Sequence, residues 1–210
     1  MIAPAFLLQV IADDFERGLS RWPATQQIDG RLDTVPGRGG KILRARTGPR
    51  GNRVPKAALI ARPALLPAGT EVRIAFDLMV PQGAPLNSVH LADVECASCG
   101  EAGNPGIRLY LRHGRLRIDR SKIGIANAWT NDAAPQLRHG HWHHVELDVR
   151  IGFGDKGRAR VRLDGAEVLA AKGDTILRRG ADRIQIGLTA SSNPVPATAY
   201  FDNVRVYFAR

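Results

Sequence analysis

Short runs in which every second residue is apolar recur along this chain, and that period of two restricts it to antiparallel sheet more firmly than any other feature. Val72, Ile74, Phe76 and Leu78 alternate with polar or small partners; Ile107, Leu109 and Leu111 do the same, then Leu116 and Ile118. Val145 to Ile151, Val161 with Leu163, Ile184 to Leu188 and Val204 to Phe208 repeat the pattern. Such runs bury one face and show the other to solvent or a ligand. Two-residue turns, His113-Gly114 and Asp164-Gly165, separate successive runs, and Asp155-Lys156-Gly157 lies between the runs around Val149 and Val161. These spacings leave no room for crossover helices, so the expected class is all-β, an antiparallel β-sandwich. At 210 residues the chain suits one large domain, 1–210, with no linker or repeat. The Gly- and Arg-rich stretch from Arg38 to Pro55 reads as a mobile loop or an irregular edge.

Residues 1–12 carry an apolar stretch ending in Val10-Ile11-Ala12, which reads as an N-terminal arm, a first strand covering a sheet edge, or an atypical signal segment without the positive n-region. No apolar run approaches the roughly 18 residues of a membrane span. A formal charge of +10 favours polyanionic partners through long-range attraction. The arginines are spread along strands and loops, without a Lys-rich tail or an aromatic-basic motif, so an acidic glycan is expected rather than nucleic acid. The setting follows the partner: secreted, periplasmic or on a cell or virion surface, with the cytoplasm left open.

Cys96 and Cys99 are the only cysteines. Zinc needs four ligands, which this region does not supply, and Gly100, Gly103, Pro105 and Gly106 forbid the helix a redox Cys-x-x-Cys would open. A small disulfide pinning a loop, or two unpaired thiols, remains.

Three segments carry a family resemblance. Asp13-Asp-Phe-Glu16 with Gly18, Leu19 and Trp22 is similar to the opening strand of secreted carbohydrate-active sandwiches. Gly140-His-Trp-His-His-Val-Glu-Leu-Asp-Val149, followed by Val161-Arg-Leu-Asp-Gly165, resembles the strand and hairpin of laminin-G-like and polysaccharide lyase-like proteins. Ala199-Tyr-Phe-Asp-Asn-Val-Arg-Val-Tyr207 resembles the last strand of glycoside hydrolase family 16 and related chains. The resemblance implies a concanavalin A-like jelly roll, and its pieces are fold signatures.

Catalytic motifs of those relatives are incomplete here. The resemblance to glycoside hydrolase family 16 implies a strand Glu-x-Asp-x-Glu or Glu-x-Asp-x-x-Glu, because a retaining glycosidase needs two carboxyls about 5 to 5.5 Å apart, and in Leu91-Ala-Asp93-Val-Glu95 a leucine occupies the first carboxylate position; Asp93 and Glu95 are expected to pair with arginines. The resemblance implies that a lyase of this fold would present an Arg-rich strand, a strand with an inward His, and a late strand with Tyr, Lys and Tyr. Arg53 and His90 match the first two, but Gln185 to Ser191 contains neither Tyr nor Lys. His90 with Tyr110 is therefore the catalytic pair only if the chain is a lyase, and lyase chemistry ranks above glycosidase chemistry.

A binding face is easier to assemble. The His113-Gly114 turn sets Arg112 opposite Arg115, Tyr110 opposite Arg117, and Arg108 opposite Asp119, all on one face. Arg forks bind carboxylate or sulfate, and Tyr110 offers a flat surface to a sugar ring. Lys122 and Trp129 follow closely enough to extend it, and the competing reading is a solvated face whose arginine stems cover Tyr110. His139, His141, His143 and His144 crowd one segment, but only two converge on a strand, so a His-rich edge beside Trp142 is expected. The resemblance also implies a structural calcium ion between the first and last strands at Asp14 and Asp202, oxygen ligands being what calcium requires; turn capping by the two aspartates is the alternative.

The functions open to the sequence are, in order, a non-catalytic, lectin-like domain for acidic polysaccharide, a divergent polysaccharide lyase acting on uronate-containing glycans, and an assembly protein of a cell surface or virion. The third would use the N-terminal arm for strand exchange in a homo-oligomer.

Overall fold

The computed structural model describes residues 8–100 and 103–209. Its strands run β1 (Leu8–Asp13), β2 (Ala24–Ile28), β3 (Gly30–Gly37), β4 (Gly40–Thr47), β5 (Lys56–Ala61), β6 (Leu66–Pro67), β7 (Glu71–Met79) and β8 (Val89–Glu95). They continue as β9 (Gly106–Arg112), β10 (Arg115–Asp119), β11 (Trp142–Arg150), β12 (Arg158–Leu163), β13 (Ala166–Lys172), β14 (Gly180–Ala181), β15 (Arg183–Ser191) and β16 (Ala197–Ala209). One sheet has the order β13-β12-β11-β7-β16-β4-β3, with β1 also on β16; the second is β10-β9-β8-β15-β5-β2; β14 and β6 form a small ribbon. All pairings are antiparallel. The chain is an antiparallel jelly-roll sandwich, as the alternation required.

The core lies between the sheets. Ile74, Phe76, Leu78, Val145, Leu147, Phe201 and Val206 from one meet Leu59, Val94, Ile107, Leu109, Leu116 and Ile186 from the other, all fully buried. Each such side chain contributes about 1.5–3 kcal/mol by leaving water, which holds the register: a one-residue slip would expose a whole row. The turns are of the expected kind. His113 and Gly114 have φ of 51° and 74°, and Asp164 and Gly165 have 53° and 83°, the left-handed pair of a tight hairpin.

The opening motif has a structural reason. Asp13, buried at the end of β1, accepts hydrogen bonds from the Phe15 amide (3.0 Å) and from Trp22 Nε1 (2.8 Å), which hold Phe15 at φ 61° and drive its ring into the core. β1 pairs with the chain's own β16, from Leu8 opposite Phe208 to Asp13 opposite Val204. Residues 1–7 lie outside the described residues.

One expectation is corrected. The stretch from Arg38 to Pro55 is not simply a loop: β4 fills much of it and sits inside the sheet between β16 and β3. Ile42, Leu43, Ala45 and Thr47 are buried while Arg44 and Arg46 reach Asp33 on the outward face, so the arginines that suggest a loop belong to a paired strand. Cys96 and Cys99 form a disulfide at the end of β8. No helix among the described residues is long and apolar enough to cross a membrane.

Candidate functional site

The outward face of the six-stranded sheet gathers most of the residues that carry chemistry. The register of β9 against β10 sets Arg112 opposite Arg115, Tyr110 opposite Arg117 and Arg108 opposite Asp119, as the turn dictates. β8 lies on the other side of β9, with His90 opposite Tyr110 and Asp93 opposite Arg108. Strict alternation would send His90 and Asp93, three residues apart, to opposite faces. A bulge between His90 and Ala92 absorbs one residue: Leu91 and Ala92 are both buried in the core, and His90, Asp93 and Glu95 emerge together. The His90 and Tyr110 rings are 5.6 Å apart at an interplanar angle of 59°.

Beyond β8, the next strand supplies Arg183, Gln185 and Thr189, and β5 supplies Lys56 at its first position. Asp93 and Glu95 are fully buried. Gln185 Nε2 donates to both, at 3.2 and 2.9 Å, and Thr189 Oγ1 donates to Asp93 at 2.8 Å. Lys122 forms an ion pair with Glu95, and Arg183 Nε lies 3.5 Å from the same carboxylate. Arg183 also donates to Gln26 Oε1 on β2 at 3.2 Å, which brings Gln26 to the same face. Gly187 lies opposite Ala58 of β5 at φ 130°, where an added Cβ would meet the Ala57 carbonyl oxygen at 2.5 Å; the strands below this face are packed to the backbone.

Electrostatics follow from that burial. Burial, with the adjacent Glu95 charge, pushes the Asp93 carboxyl up to about 7. Burial, with the Arg108 charge, pushes His90 down to about 3, so the imidazole is neutral at physiological pH. Burial, then Lys122, lowers the Lys56 ammonium. Burial acts to raise Asp119, but hydrogen bonds from Ser121 and the Arg108 charge outweigh it and hold the carboxyl low. Of the seven buried side-chain polar atoms without a hydrogen-bond partner among the described residues, four are on this face: His90 Nδ1 and the Nε atoms of Arg108, Arg117 and Arg183. Unpartnered buried polar atoms cost stability, and more than half of those found stand on this one face.

The sequence-predicted residues divide accordingly. His90, Tyr110, Arg108, Arg117 and Lys122 come together; Arg112 and Arg115 close the turn end of the face, where Arg115 Nε donates to the Ala134 carbonyl at 2.8 Å. Arg108 is paired with Asp119 and Arg117 with Asp132 at 2.8 Å, so their forks are only partly open. Trp129 goes elsewhere: it bridges Ile118 through the backbone, packs against the core and stacks on Arg120 at 4.1 Å. Arg53 lies before β5, exposed and paired with Asp29 at 2.6 Å, and Lys56 is the cation that β5 brings to the face. Asp93 and Glu95 meet Gln185, Thr189, Lys122 and Arg183 rather than arginines alone. In the histidine segment, buried His143 is bonded to Asp164 (2.8 Å) and accepts from the Arg138 amide (3.1 Å), while His144 turns to Asp77 (2.8 Å).

With this geometry in place, the family model described as polysaccharide lyase matches residues 23–205. The chain belongs to the polysaccharide lyase family. Among solved structures this lyase-family chain is similar to an endo-β-1,4-glucuronan lyase from the fungus Trichoderma reesei, with TM-score 0.76, 15% identity and 95% of each chain covered. It is also similar to the cellulose induced protein Cip1, with TM-score 0.67, 17% identity and 94% of this chain and 96% of the other covered. A third is alginate lyase Aly36B, with TM-score 0.60, 13% identity and 100% and 98% coverage. At these identities the likeness is one of fold. No curated protein matches the chain in sequence.

The side chains at Asp14 and Asp202 do not by themselves build a calcium cage. Burial, then Asp77 and Asp14 among the nearby charges, raises the Asp202 carboxyl against hydrogen bonding from Asn203. Asp77, however, is occupied by Arg38 (3.0 Å), His144 and Asn203 (2.9 Å), and among the described residues no group of three or more His, Cys, Asp or Glu gathers around a metal position.

Proposed function

We propose that this polysaccharide lyase family member cleaves a uronate-containing polysaccharide by β-elimination on the outward face of the six-stranded sheet. The observation that carries the proposal is the His90–Tyr110 pair, held side by side on neighbouring strands with cationic side chains on the adjacent positions. A neutral imidazole accepts the proton on the carbon next to the uronate carboxylate; the released electron pair forms the C4=C5 double bond and expels the glycosidic oxygen. The Tyr110 hydroxyl protonates that oxygen, and the phenolate regains its proton from the His90 imidazolium, so the pair returns to its starting state. In this reading Lys56 and Arg117, flanking the pair, meet the carboxylate and stabilise the charge that develops on it. The fully buried Asp93 and Glu95 are closed to a sugar, which argues against glycosidase chemistry.

A second reading, acidic polysaccharide binding without catalysis, is favoured by β15, which presents Gln185, Gly187 and Thr189 where the resemblance to lyases implies Tyr and Lys. One experiment separates the two. Incubation with a panel of polyuronates, followed by ultraviolet absorbance of the unsaturated product, rises with time for a lyase. Binding by calorimetry without any such rise leaves the lectin-like reading. The Cys96–Cys99 disulfide supports a proposed site of action outside the reducing cytoplasm. A structural calcium ion at Asp14 and Asp202 belongs to the same proposal and would need backbone carbonyls to complete it; a melting temperature unchanged by calcium and chelator would remove it.

A further inference from the structure

A second charged concavity lies on the eight-stranded sheet, away from the face just described. It has a volume of about 480 Å³ and is walled by the turn joining β11 to β12, the Ala68–Gly69 turn and the end of β13. The size falls in the range of small-molecule sites, roughly 300–1,000 Å³. Phe153 stands in its lining and is 41% exposed, on a backbone that is tied down on every side. Gly69 donates to the Ile151 carbonyl (2.7 Å), Thr175 to that of Gly152 (3.0 Å), Gly173 to that of Gly157 (2.9 Å) and Lys156 to that of Phe153 itself (3.2 Å). A Cβ on Gly152 would meet the Gly157 nitrogen at 2.7 Å, and one on Gly157 would meet the Gly173 carbonyl oxygen at 2.2 Å and that of Gly152 at 2.8 Å. An aromatic ring held in water by a rigid turn costs free energy that a ligand can recover.

The charges around it are unequal. Arg150 and Arg158 share one oxygen of Glu71, at 3.0 and 2.6 Å. Lys156 and Lys172, both exposed, have no carboxylate partner among the described residues, and only Asp155 opposes them in the lining. A flat apolar ring beside two free ammonium groups and two half-neutralised guanidiniums matches one kind of unit: a sugar ring whose C–H face covers the aromatic and whose carboxylate or sulfate meets the cations. We infer that this pocket is a second binding site for an anionic sugar unit of a polysaccharide, independent of the His90 face. The inference takes only the identity of the polymer class from the proposed function.

The test is an amide NMR titration of the full chain with a short oligoglucuronate and, in a parallel arm, its sulfated counterpart, which tells carboxylate from sulfate recognition. Two groups of shifts are expected, one around His90 and Tyr110 and one around Phe153 to Lys156. In a Lys56→Ala/His90→Ala variant the second group persists. In Lys156→Glu/Lys172→Glu it disappears, with affinity there falling at least about tenfold, the scale of one charge-assisted hydrogen bond; Phe153→Ala, at an exposed position, weakens the same group without unfolding the chain. Shifts at His90 without shifts at Phe153, or a Phe153 group untouched by these substitutions, would overturn the second site and leave the lyase reading standing. Shifts confined to Phe153 establish the pocket and sink the reading of the His90 face, and no shifts in either arm sink both.

Discussion

The two outward faces of the sandwich are both built from arginines opposed to carboxylates, yet they have opposite characters. On the eight-stranded sheet Arg73 pairs with Asp148 at 2.5 Å, Arg162 bridges Glu146 and Asp148 at 3.2 and 3.1 Å, and Arg44 meets Asp33 at 2.6 Å. Donating hydrogen bonds to Asp148 raises Arg73, and donating to Asp33 raises Arg44, the mark of pairs in which each charge is matched. On the six-stranded sheet Asp93 and Glu95 are sunk out of water, His90 and Asp93 are displaced in opposite directions, and three buried arginine Nε atoms lack a hydrogen-bond acceptor, against Arg46 Nε alone among the described arginines of the other sheet. What differs is completeness of pairing under burial, and incompletely paired, perturbed groups are where ligand chemistry concentrates.

The sharpest way to break the contrast is to remove one group from each face. If the lyase reading holds, His90→Ala lowers the rate of unsaturated product formation by roughly 10²–10⁴-fold, the contribution of a positioned acid–base group, and Tyr110→Phe does the same. Arg73→Ala on the other sheet leaves the rate within error. An Arg73→Ala enzyme as slow as His90→Ala would show that the faces are not functionally distinct.

The pH dependence of stability tests the same difference without a substrate. Asp93 has a folded pKa of about 7, above its ordinary 3.8, so its contribution is present in acid and is lost as pH rises towards 7. His90 has a folded pKa of about 3, below its ordinary 6.5, so its contribution is present above 6.5 and is lost as pH falls towards 3. Between these limits the two slopes oppose each other, and unfolding free energy from urea titrations should change little across that window. Asp93→Asn should leave a stability that climbs with pH there, and His90→Asn one that declines. Parallel curves for wild type and both variants would contradict the burial argument.

Backbone packing below the site face gives a smaller effect. Gly187→Ala places a Cβ against the Ala57 carbonyl at a φ of 130° and should cost about 1–3 kcal/mol, read as a lower urea midpoint with an unchanged slope. A neutral Gly187→Ala would mean the β15–β5 contact gives way easily and that Lys56 is not rigidly placed.

What could be read without coordinates follows the same physics. Strands with one wet face, such as β7, β9, β11 and β16, declare themselves by alternation, and the left-handed His113-Gly114 turn makes the Arg108–Asp119 face legible down to its cross-strand pairs. β5 hides because both its faces are covered: Ala57, Leu59 and Ala61 join the core while Ala58 and Ile60 are buried on the other side, so no period shows and Lys56 goes unnoticed at its edge. The convergence of His90 with Asp93 is invisible because it depends on the bulge at Leu91, and nothing in a period-two reading announces an extra residue. Arg53 is an arginine at the right distance along the chain, but Pro55 separates it from the strand and Asp29 holds it in solvent.

The smallest expected effect lies on the matched face. The side chains of Arg73 and Asp148 are 35% and 20% exposed, and water competes with the pair on both sides. Exposed pairs contribute about 0.2–1 kcal/mol, so Arg73→Ala should shift the urea midpoint only slightly, and less at high salt. Asp148 keeps Arg162 when Arg73 is removed, and Glu146 shares that arginine, so a network remains rather than a stranded charge. The double variant Arg73→Ala/Arg162→Ala should therefore cost more than the sum of the two singles, because only then does Asp148 lose both partners. Strict additivity would mean that these contacts act as separate pairs, and that the difference between the two faces is one of burial alone.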